Sequence, residues 1–165
     1  MRFVWYSCFA VVVLALTAAP AHAATATGQF NVSVTVQSEC RLASTTDLAF
    51  GNVGVTTAVV TGTSTLGVQC TNSTPYNVGL GVGLGSGATI TLRKMTAATG
   101  GATVEYALYR DSAFAQIWGE TLGTNTVAGT GNGNVQSLTV HGRIPVQPAP
   151  APGNYTDTVR VTITY

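Results

Sequence analysis

Hydrophobic and polar residues alternate with a period of two near both ends of this 165-residue chain. At residues 28–36 the apolar members are Phe30, Val32, Val34 and Val36. At residues 158–165 they are Val159, Val161, Ile163 and Tyr165. A period of two places alternate side chains on one face of an extended strand. Each stretch therefore predicts a β-strand with one apolar face.

The two predicted strands leave complementary surfaces unsatisfied. An exposed apolar strand is an aggregation hazard unless it has a partner, and we expect no later strand to cover the edge of the last one. Pairing the first strand of one molecule with the last strand of another would satisfy both backbones and both apolar faces. A first strand that pairs within its own domain fits the same pattern, so both arrangements stay open.

Short strand-like runs fill the region between these ends, and no stretch has a sustained helical period. Thr, Val and Gly dominate, and clusters of Gly, Asn and Pro separate the runs. We predict strands at Phe30–Val36, Leu48–Phe50, Val55–Val60, Ser64–Cys70, Tyr76–Leu84, Ala88–Arg93, Val104–Arg110, Val135–Ile144 and Thr158–Tyr165. Many short strands joined by turns predict an all-β fold, a β-sandwich of the immunoglobulin type.

Two compositionally biased stretches interrupt this pattern. Glycine occupies every odd position from 79 to 87. This indicates either close approach of another strand or subunit to a bare face, or a flexible strand that tolerates a bend. Pro145–Gly153 contains four prolines and predicts an extended crossover outside the centre of a sheet. A linker between two domains is the alternative, although only residues 154–165 follow it.

The first 23 residues have the features of a secretory signal peptide. Arg2 supplies the positive end, an apolar run follows, and Ala21-His22-Ala23 fits the small-x-small cleavage rule. We expect cleavage between Ala23 and Ala24 and no integral membrane segment afterwards, since the apolar run is too short for a span. An uncleaved anchor is the alternative. The predicted organisation is a signal peptide at 1–23, an N-terminal donor segment at 24–37 and a β-sandwich domain at 38–165.

Charge is scarce, at 8% of residues, and basic and acidic residues balance once Arg2 is removed. No basic cluster exists to hold nucleic acid or an anionic membrane, so neither is an expected partner. Like charges normally keep soluble proteins apart. The low charge therefore favours a protein that packs against copies of itself.

Two cysteines, Cys40 and Cys70, remain after signal removal. In an exported chain an even number of cysteines indicates a disulfide, although two free thiols are the alternative. A loop of this length would contribute about 3.5 kcal/mol in the chain-entropy model.

The sequence offers little for catalysis or for a cofactor. His141 is the one histidine after residue 23, which is too few for a zinc site of the usual kind. No nucleophile elbow and no phosphate loop is present. We therefore expect no catalytic, cofactor-binding or metal-binding residues and no enzyme. Trp118 and Tyr109 could line a sugar platform, although such aromatics more often belong to a core or an edge.

Three stretches resemble the spore coat protein U domain family, which includes the Csu-type subunits of archaic chaperone–usher pili. The first is Thr27–Val34 followed by Cys40. The second is the Tyr-x-x-Tyr-Arg-Asp strand Tyr106–Asp111. The third is Gly153–Tyr165, in which Tyr-x-Asp-Thr leads into alternating apolar residues and an aromatic terminus. Together they span the chain after the signal peptide.

The resemblance implies an incomplete immunoglobulin-like β-sandwich that is completed by donor-strand complementation. A periplasmic chaperone would first lend a strand to the groove, and at an outer-membrane usher the N-terminal strand of the next subunit would replace it. The implied donor plugs are Phe30, Val32, Val34 and Val36. The implied acceptor groove and closing strand carry Val159, Val161, Ile163 and Tyr165, with the Tyr165 carboxylate as the chaperone's anchor.

The expected protein is thus a shaft subunit of a pilus, exported through the periplasm to the cell surface. It would polymerise with identical or related subunits and support attachment and biofilm formation. Two alternatives remain. One is a secreted spore-coat or matrix protein that folds as a closed monomer, and the other is a carbohydrate-binding module that uses Trp118 or Tyr109.

Overall fold

A computed structural model of the chain describes residues 22–55 and 57–165. The chain divides into two units, Met1–Thr35 and Val36–Tyr165. The predicted signal peptide at 1–23 lies outside the described residues except for His22 and Ala23. In the first unit, residues 22–35 form no helix or strand.

The second unit consists of short strands joined by turns and irregular segments, and no helix occurs in its described part. The strands are β1 (Cys40–Thr45), β2 (Val60–Cys70), β3 (Pro75–Leu80), β4 (Arg93–Ala97), β5 (Thr103–Tyr109), β6 (Val127–Thr130), β7 (Val135–Ile144), β8 (Tyr155–Thr156) and β9 (Val161–Thr164).

The strands form two antiparallel sheets. The larger has the order β1-β2-β7-β5-β4-β8, and the smaller has the order β6-β3-β9. Alternate residues of both sheets point inward and form one core, because a strand places successive side chains on opposite faces. Its buried members are Leu66, Val68, Cys70, Tyr76, Val78, Leu80, Val104, Tyr106, Leu108, Trp118, Val140 and Ile144. The expected all-β sandwich is confirmed.

The predicted strands differ from the observed ones where a segment with an alternating pattern has no hydrogen-bonded neighbour. Ser64–Cys70, Val104–Arg110 and Val135–Ile144 correspond closely to β2, β5 and β7. Leu48–Phe50 and Phe30–Val36 form no strand, and Ala88–Arg93 contributes only the first residue of β4. A strand requires a hydrogen-bonded neighbour as well as an alternating pattern.

Three strands were absent from the sequence prediction. β1, β6 and β8 are short, and none has a clean apolar alternation. Three further predictions were partly wrong: among the described residues of Val55–Val60 only Val60 lies in β2, Tyr76–Leu84 ends as a strand at Leu80, and Thr158–Tyr165 is a strand only at Val161–Thr164. The weak patterns explain why propensity alone does not locate these boundaries.

The glycine alternation is explained by close approach within the chain. A Cβ on Gly83, whose φ is +87°, would overlap the Asp157 carboxylate. A Cβ on Gly85 would overlap the Lys94 carbonyl oxygen. Glycine at these positions therefore lets other parts of the same domain pack against the backbone. The approaching groups belong to the same chain.

The proline-rich stretch Pro145–Gly153 joins β7 to β8, two strands of the same sheet, and forms no strand itself. The predicted crossover is therefore present, and the alternative of a linker between two domains does not hold. The side chain of Gln147 fixes the crossover to β5, since its amide accepts from the Glu105 N–H and donates to the Glu105 carbonyl, both at 3.0 Å.

The predicted disulfide is present. Cys40 and Cys70 lie directly opposite each other in the β1–β2 pair and are bonded through their sulfur atoms. The bond therefore ties the edge strand β1 to the next strand of the larger sheet.

Candidate functional site

The alternating N-terminal segment has its apolar side chains in solvent. Phe30, Val32, Val34 and Val36 are 87%, 84%, 87% and 77% exposed. The first three belong to the first unit and Val36 belongs to the second. Large apolar side chains in solvent at every second residue leave apolar surface that a binding partner could cover.

Strand β9 lies at the edge of the smaller sheet and turns its apolar face inward. Val159, Val161 and Ile163 are half-buried and pack against the core, whereas Tyr165 is 59% exposed. The structure thus brings three of the four predicted acceptor side chains together on the core face. Tyr165 follows β9 and lies largely in solvent.

The main chain of β9 has one bonded edge and one free edge in the described structure. Gly81 donates its N–H to the Arg160 carbonyl at 2.9 Å, so Arg160 points its polar groups toward β3. Leu80, which lies opposite Val161, instead donates to Gly119 at 3.0 Å, away from β9. In an antiparallel pair these directions alternate along the strand. The N–H and C=O groups of Val161 and Ile163 therefore point outward, and we call this outward side of β9 the acceptor edge.

A cleft of about 510 Å³ opens beside the acceptor edge and reaches the core. Its floor contains Leu66, Leu108 and Val140 from the larger sheet and Leu80 from the smaller one. The cleft therefore lies between the two sheets. Its volume is in the range of ligand-binding pockets, and its floor consists of core side chains.

The segment after β1 lines the same cleft. Leu48 and Phe50 are half-buried and alternate with exposed neighbours. They rest on Gly62 and Gly142, which lie opposite each other in the β2–β7 pair, and a Cβ on Gly142 would come within 2.9 Å of both side chains. Two side chains with the i, i+2 spacing of a strand thus already cover part of the core. Their alternation was visible in the sequence, but their place in the cleft was not.

A polar network lies among the apolar cleft residues. The Tyr106 hydroxyl donates to Asp157 Oδ2 at 2.6 Å, and Asp157 Oδ1 accepts from the Leu84 N–H at 2.7 Å. Burial, followed by the hydrogen bond to Asp157, raises the pKa of Tyr106 far above its usual value of 10.0. The hydroxyl is therefore neutral and a donor across the ordinary pH range. Both residues belong to stretches that resemble the family, but the sequence alone predicted no role for either of them.

Arg93 is fully buried beside this network and donates only to main-chain carbonyls. Its Nε bonds Gly81 at 2.8 Å, Nη1 bonds Ile90 at 2.9 Å, and Nη2 bonds Leu80 at 3.0 Å and Trp118 at 2.8 Å. Burial lowers its pKa, and the nearby Tyr106, Asp157 and Glu120 oppose that shift. The side chain fastens the irregular segment after β3 to the core.

The aromatic residues considered for sugar binding occupy other environments. Trp118 is 1% exposed, and its Nε1 donates to the Val78 carbonyl at 2.8 Å, so it is a core residue and the alternative of a Trp118 sugar platform does not hold. Tyr109 is half-buried and meets Phe114 edge-on at 5.5 Å between ring centroids. Phe114 in turn meets His141 at 6.3 Å, so the histidine packs beside rings on the sheet surface.

The described part of the chain offers neither a metal-binding cluster nor a membrane-spanning helix. Residues 22–55 and 57–165 contain no cluster of three or more His, Cys, Asp or Glu side chains that could hold a metal ion. Within the same ranges no helix is long and apolar enough to cross a bilayer.

Comparison with known proteins places this architecture in a family. The family model described as the Spore Coat Protein U domain matches residues 26–162. A curated protein, "Protein U" of Myxococcus xanthus, is 35% identical over 159 residues, which cover 88% of each chain.

A solved structure has the same fold. It is the CsuC–CsuE chaperone–tip adhesion subunit pre-assembly complex from the archaic chaperone–usher Csu pili of Acinetobacter baumannii, with a TM-score of 0.58 and 24% identity. The match covers 79% of this chain and 40% of that one, so this chain spans less than half the length of the solved chain.

Proposed function

Because this chain belongs to the Spore Coat Protein U domain family, we propose that it is a structural subunit of a surface polymer of the chaperone–usher pilus type. It is exported through the periplasm and polymerises with identical or related subunits. A periplasmic chaperone and an outer-membrane usher are its assembly partners. Its role is structural and involves no catalysis, and the polymer serves attachment and biofilm formation.

One observation carries the proposal. The acceptor edge exposes the N–H and C=O groups of Val161 and Ile163 beside a cleft whose floor is the core. An added strand would complete the hydrogen-bond ladder and cover the core in one step, which is how strand addition combines affinity with specificity. The half-buried side chains of Val159, Val161 and Ile163 supply the neighbouring apolar surface.

The N-terminal segment has the properties of the strand that would be added. Phe30, Val32, Val34 and Val36 recur every second residue, which places them about 6.6 Å apart along one face of a strand. Burying four such side chains would contribute roughly 6–12 kcal/mol in gross terms, before the cost of ordering the segment. The polar residues between them, Asn31, Ser33 and Thr35, would face away from the core.

The test uses the full chain with Val34→Arg, which retains the cleft but carries a charged plug and so cannot donate its own segment. A labelled peptide of residues 25–37 with the natural sequence is titrated into it, and the Kd and the thermal unfolding midpoint are measured. We expect tight binding and a higher midpoint, because a ligand that binds only the folded state stabilises it.

Two peptide variants serve as a matched pair. Val34→Arg places a charge on the apolar face and should abolish binding, because an unpaired buried charge is costly. Thr35→Arg places the same charge on the opposite face and should bind as the natural peptide does. A folded chain that ignores the natural peptide would instead support a coat protein that folds as a closed monomer.

A further inference from the structure

Asp157 lies where the chain crosses from one sheet to the other. Thr156 still pairs with Thr96 in the larger sheet, and the Arg160 carbonyl already accepts from Gly81 in the smaller one. Residues 157–159 between them belong to no strand, yet all three line the cleft. This crossing therefore forms part of the wall of the cleft, and no strand ladder holds it in place.

The carboxylate of Asp157 fixes the crossing instead. Its Oδ1 accepts from the N–H of Leu84 at 2.7 Å and from the N–H of Thr158 at 2.8 Å, and its Oδ2 accepts from the Tyr106 hydroxyl at 2.6 Å. Tyr106 is a buried residue of β5, and Leu84 belongs to the irregular segment after β3. One side chain therefore joins the crossing to a core strand and to a second segment.

That second segment is itself anchored. The buried guanidinium of Arg93 donates to Gly81 on one side of Leu84 and to Ile90 on the other. Gly83 has a φ of +87°, and a Cβ there would overlap the Asp157 carboxylate. The sequence thus provides a fixed N–H for Asp157 and leaves space for its carboxylate to approach.

We infer that Asp157 is a positioning residue that holds Val159 and the start of β9 in the conformation an incoming strand requires, before that strand arrives. The inference rests on the proposed function, in which this cleft accepts a strand. Ordering a loose segment on binding would reduce affinity. A crossing that is already ordered avoids this cost, so the Asp157 contacts act on affinity and on association rate.

The experiment measures the binding of the natural 25–37 peptide to full chains that all carry Val34→Arg. Gly83→Ala and Gly87→Ala form a matched pair, since both place a side chain at positive φ, at +87° and +68°. Only the Cβ at 83 displaces Asp157, because the nearest atom to a Cβ at 87 is Lys94 Nζ at 3.8 Å. Asp157→Ala and the isosteric Asp157→Asn complete the set, and each empty chain is also unfolded thermally.

We expect Gly83→Ala to bind the peptide about tenfold more weakly than Gly87→Ala, a change of the size of one charged hydrogen bond, with slower association. The unfolding midpoint without peptide should fall in both variants, since both carry the same backbone strain, and it should fall further in Gly83→Ala, which also breaks the Asp157 contacts. Asp157→Ala should weaken binding at least as much. Asp157→Asn should restore part of the affinity, because its Oδ1 can still accept from Leu84 and Thr158.

Equal peptide affinity in the Gly83→Ala and Gly87→Ala chains would overturn the inference and leave the proposed function intact. If the Val34→Arg parent is folded and binds no peptide, that result contradicts both the proposed function and the inference about Asp157. If Asp157→Ala does not fold, the comparison of the two glycine variants decides alone.

Discussion

Single side chains in this domain make polar contacts that the hydrophobic pattern does not reveal. In the Tyr-x-x-Tyr-Arg-Asp stretch, Tyr106 donates to Asp157, and Arg110 donates to the Thr126 and Thr124 carbonyls at 2.8 and 3.1 Å. Asp111 accepts from the N–H groups of the following loop, chiefly that of Gln116, which lowers its pKa. At the residue scale the stretch thus has an architectural role, in which each polar side chain holds one loop or crossing.

The raised pKa of Tyr106 predicts a stability change in alkali. The folded protein keeps this proton at a pH where the unfolded chain, with its pKa near 10.0, has lost it. Its contribution is therefore complete below about pH 10 and is lost progressively as the pH rises further. Tyr106→Phe should cost about 1.5–3 kcal/mol near neutral pH, where it removes a hydrogen bond to a carboxylate. It should also flatten the alkaline loss of stability.

Denaturant unfolding at neutral and alkaline pH measures both effects. Tyr76→Phe is the matched control, because burial also raises the pKa of Tyr76. Tyr76→Phe should also flatten the alkaline loss of stability. It should not show the loss of stability at neutral pH that comes from removing the bond to Asp157. An unchanged alkaline slope in Tyr106→Phe would contradict the assignment.

At the scale of elements, β9 is an edge strand whose two edges differ and whose inner face lines the cleft. Its inner face packs on the core, one edge bonds β3, and the acceptor edge has no strand beside it in the described part of the chain. Edge strands with unpaired polar groups are templates for further pairing. The disulfide between Cys40 and Cys70 fixes β1, the edge strand of the other sheet that comes close to β9.

Proline substitution distinguishes the two edges of β9. Val161→Pro removes an N–H that points outward, and proline is tolerated in edge strands when its missing N–H faces solvent. Thr162→Pro removes the N–H that points to β3, where Thr162 pairs with Gly79. We therefore expect Val161→Pro to fold but to bind the 25–37 peptide at least tenfold more weakly, the effect of one lost hydrogen bond.

Thr162→Pro should instead lower the stability of the empty domain, since it breaks a ladder bond. Thermal unfolding and peptide titration on the same two proteins separate the outcomes. Loss of folding in Val161→Pro together with a stable Thr162→Pro would reverse the assignment of the edges.

At the scale of the whole molecule, the sequence predicts well which side chains share one face of a strand, and it predicts poorly which segments contact each other. The alternation of Val159, Val161 and Ile163 predicts their shared inward face, because a period of two follows directly from strand geometry. The Leu48–Phe50 pattern was correct in its spacing but not in its assignment, since those side chains rest on Gly62 and Gly142 without forming a ladder. The Asp157 network was not predictable, because it joins residues 51 and 73 positions apart.

If the chain both donates and accepts a strand, a substitution that impairs one of these two roles should leave the other role intact. Val34→Arg removes donation and leaves the cleft, whereas Val161→Pro impairs acceptance and leaves the donor segment. Heterologous head-to-tail contacts of this kind extend into filaments unless an end is blocked. At a protein concentration between the Kd of the intact acceptor and that of the Val161→Pro acceptor, each variant alone should therefore remain monomeric, and a mixture of the two should form a heterodimer and nothing longer. Thr35→Arg, with its charge on the polar face, should polymerise like the unmodified chain.

Size-exclusion chromatography with light scattering, and gels run with and without heating, measure the size and the persistence of these species. The heterodimer is the informative product, because it requires one intact donor and one intact acceptor on different molecules. Two defects that merely damaged folding would not complement each other. Polymers of Val34→Arg alone would show that the segment at 28–36 is not the donor, and monomers of the unmodified chain would favour a closed sandwich.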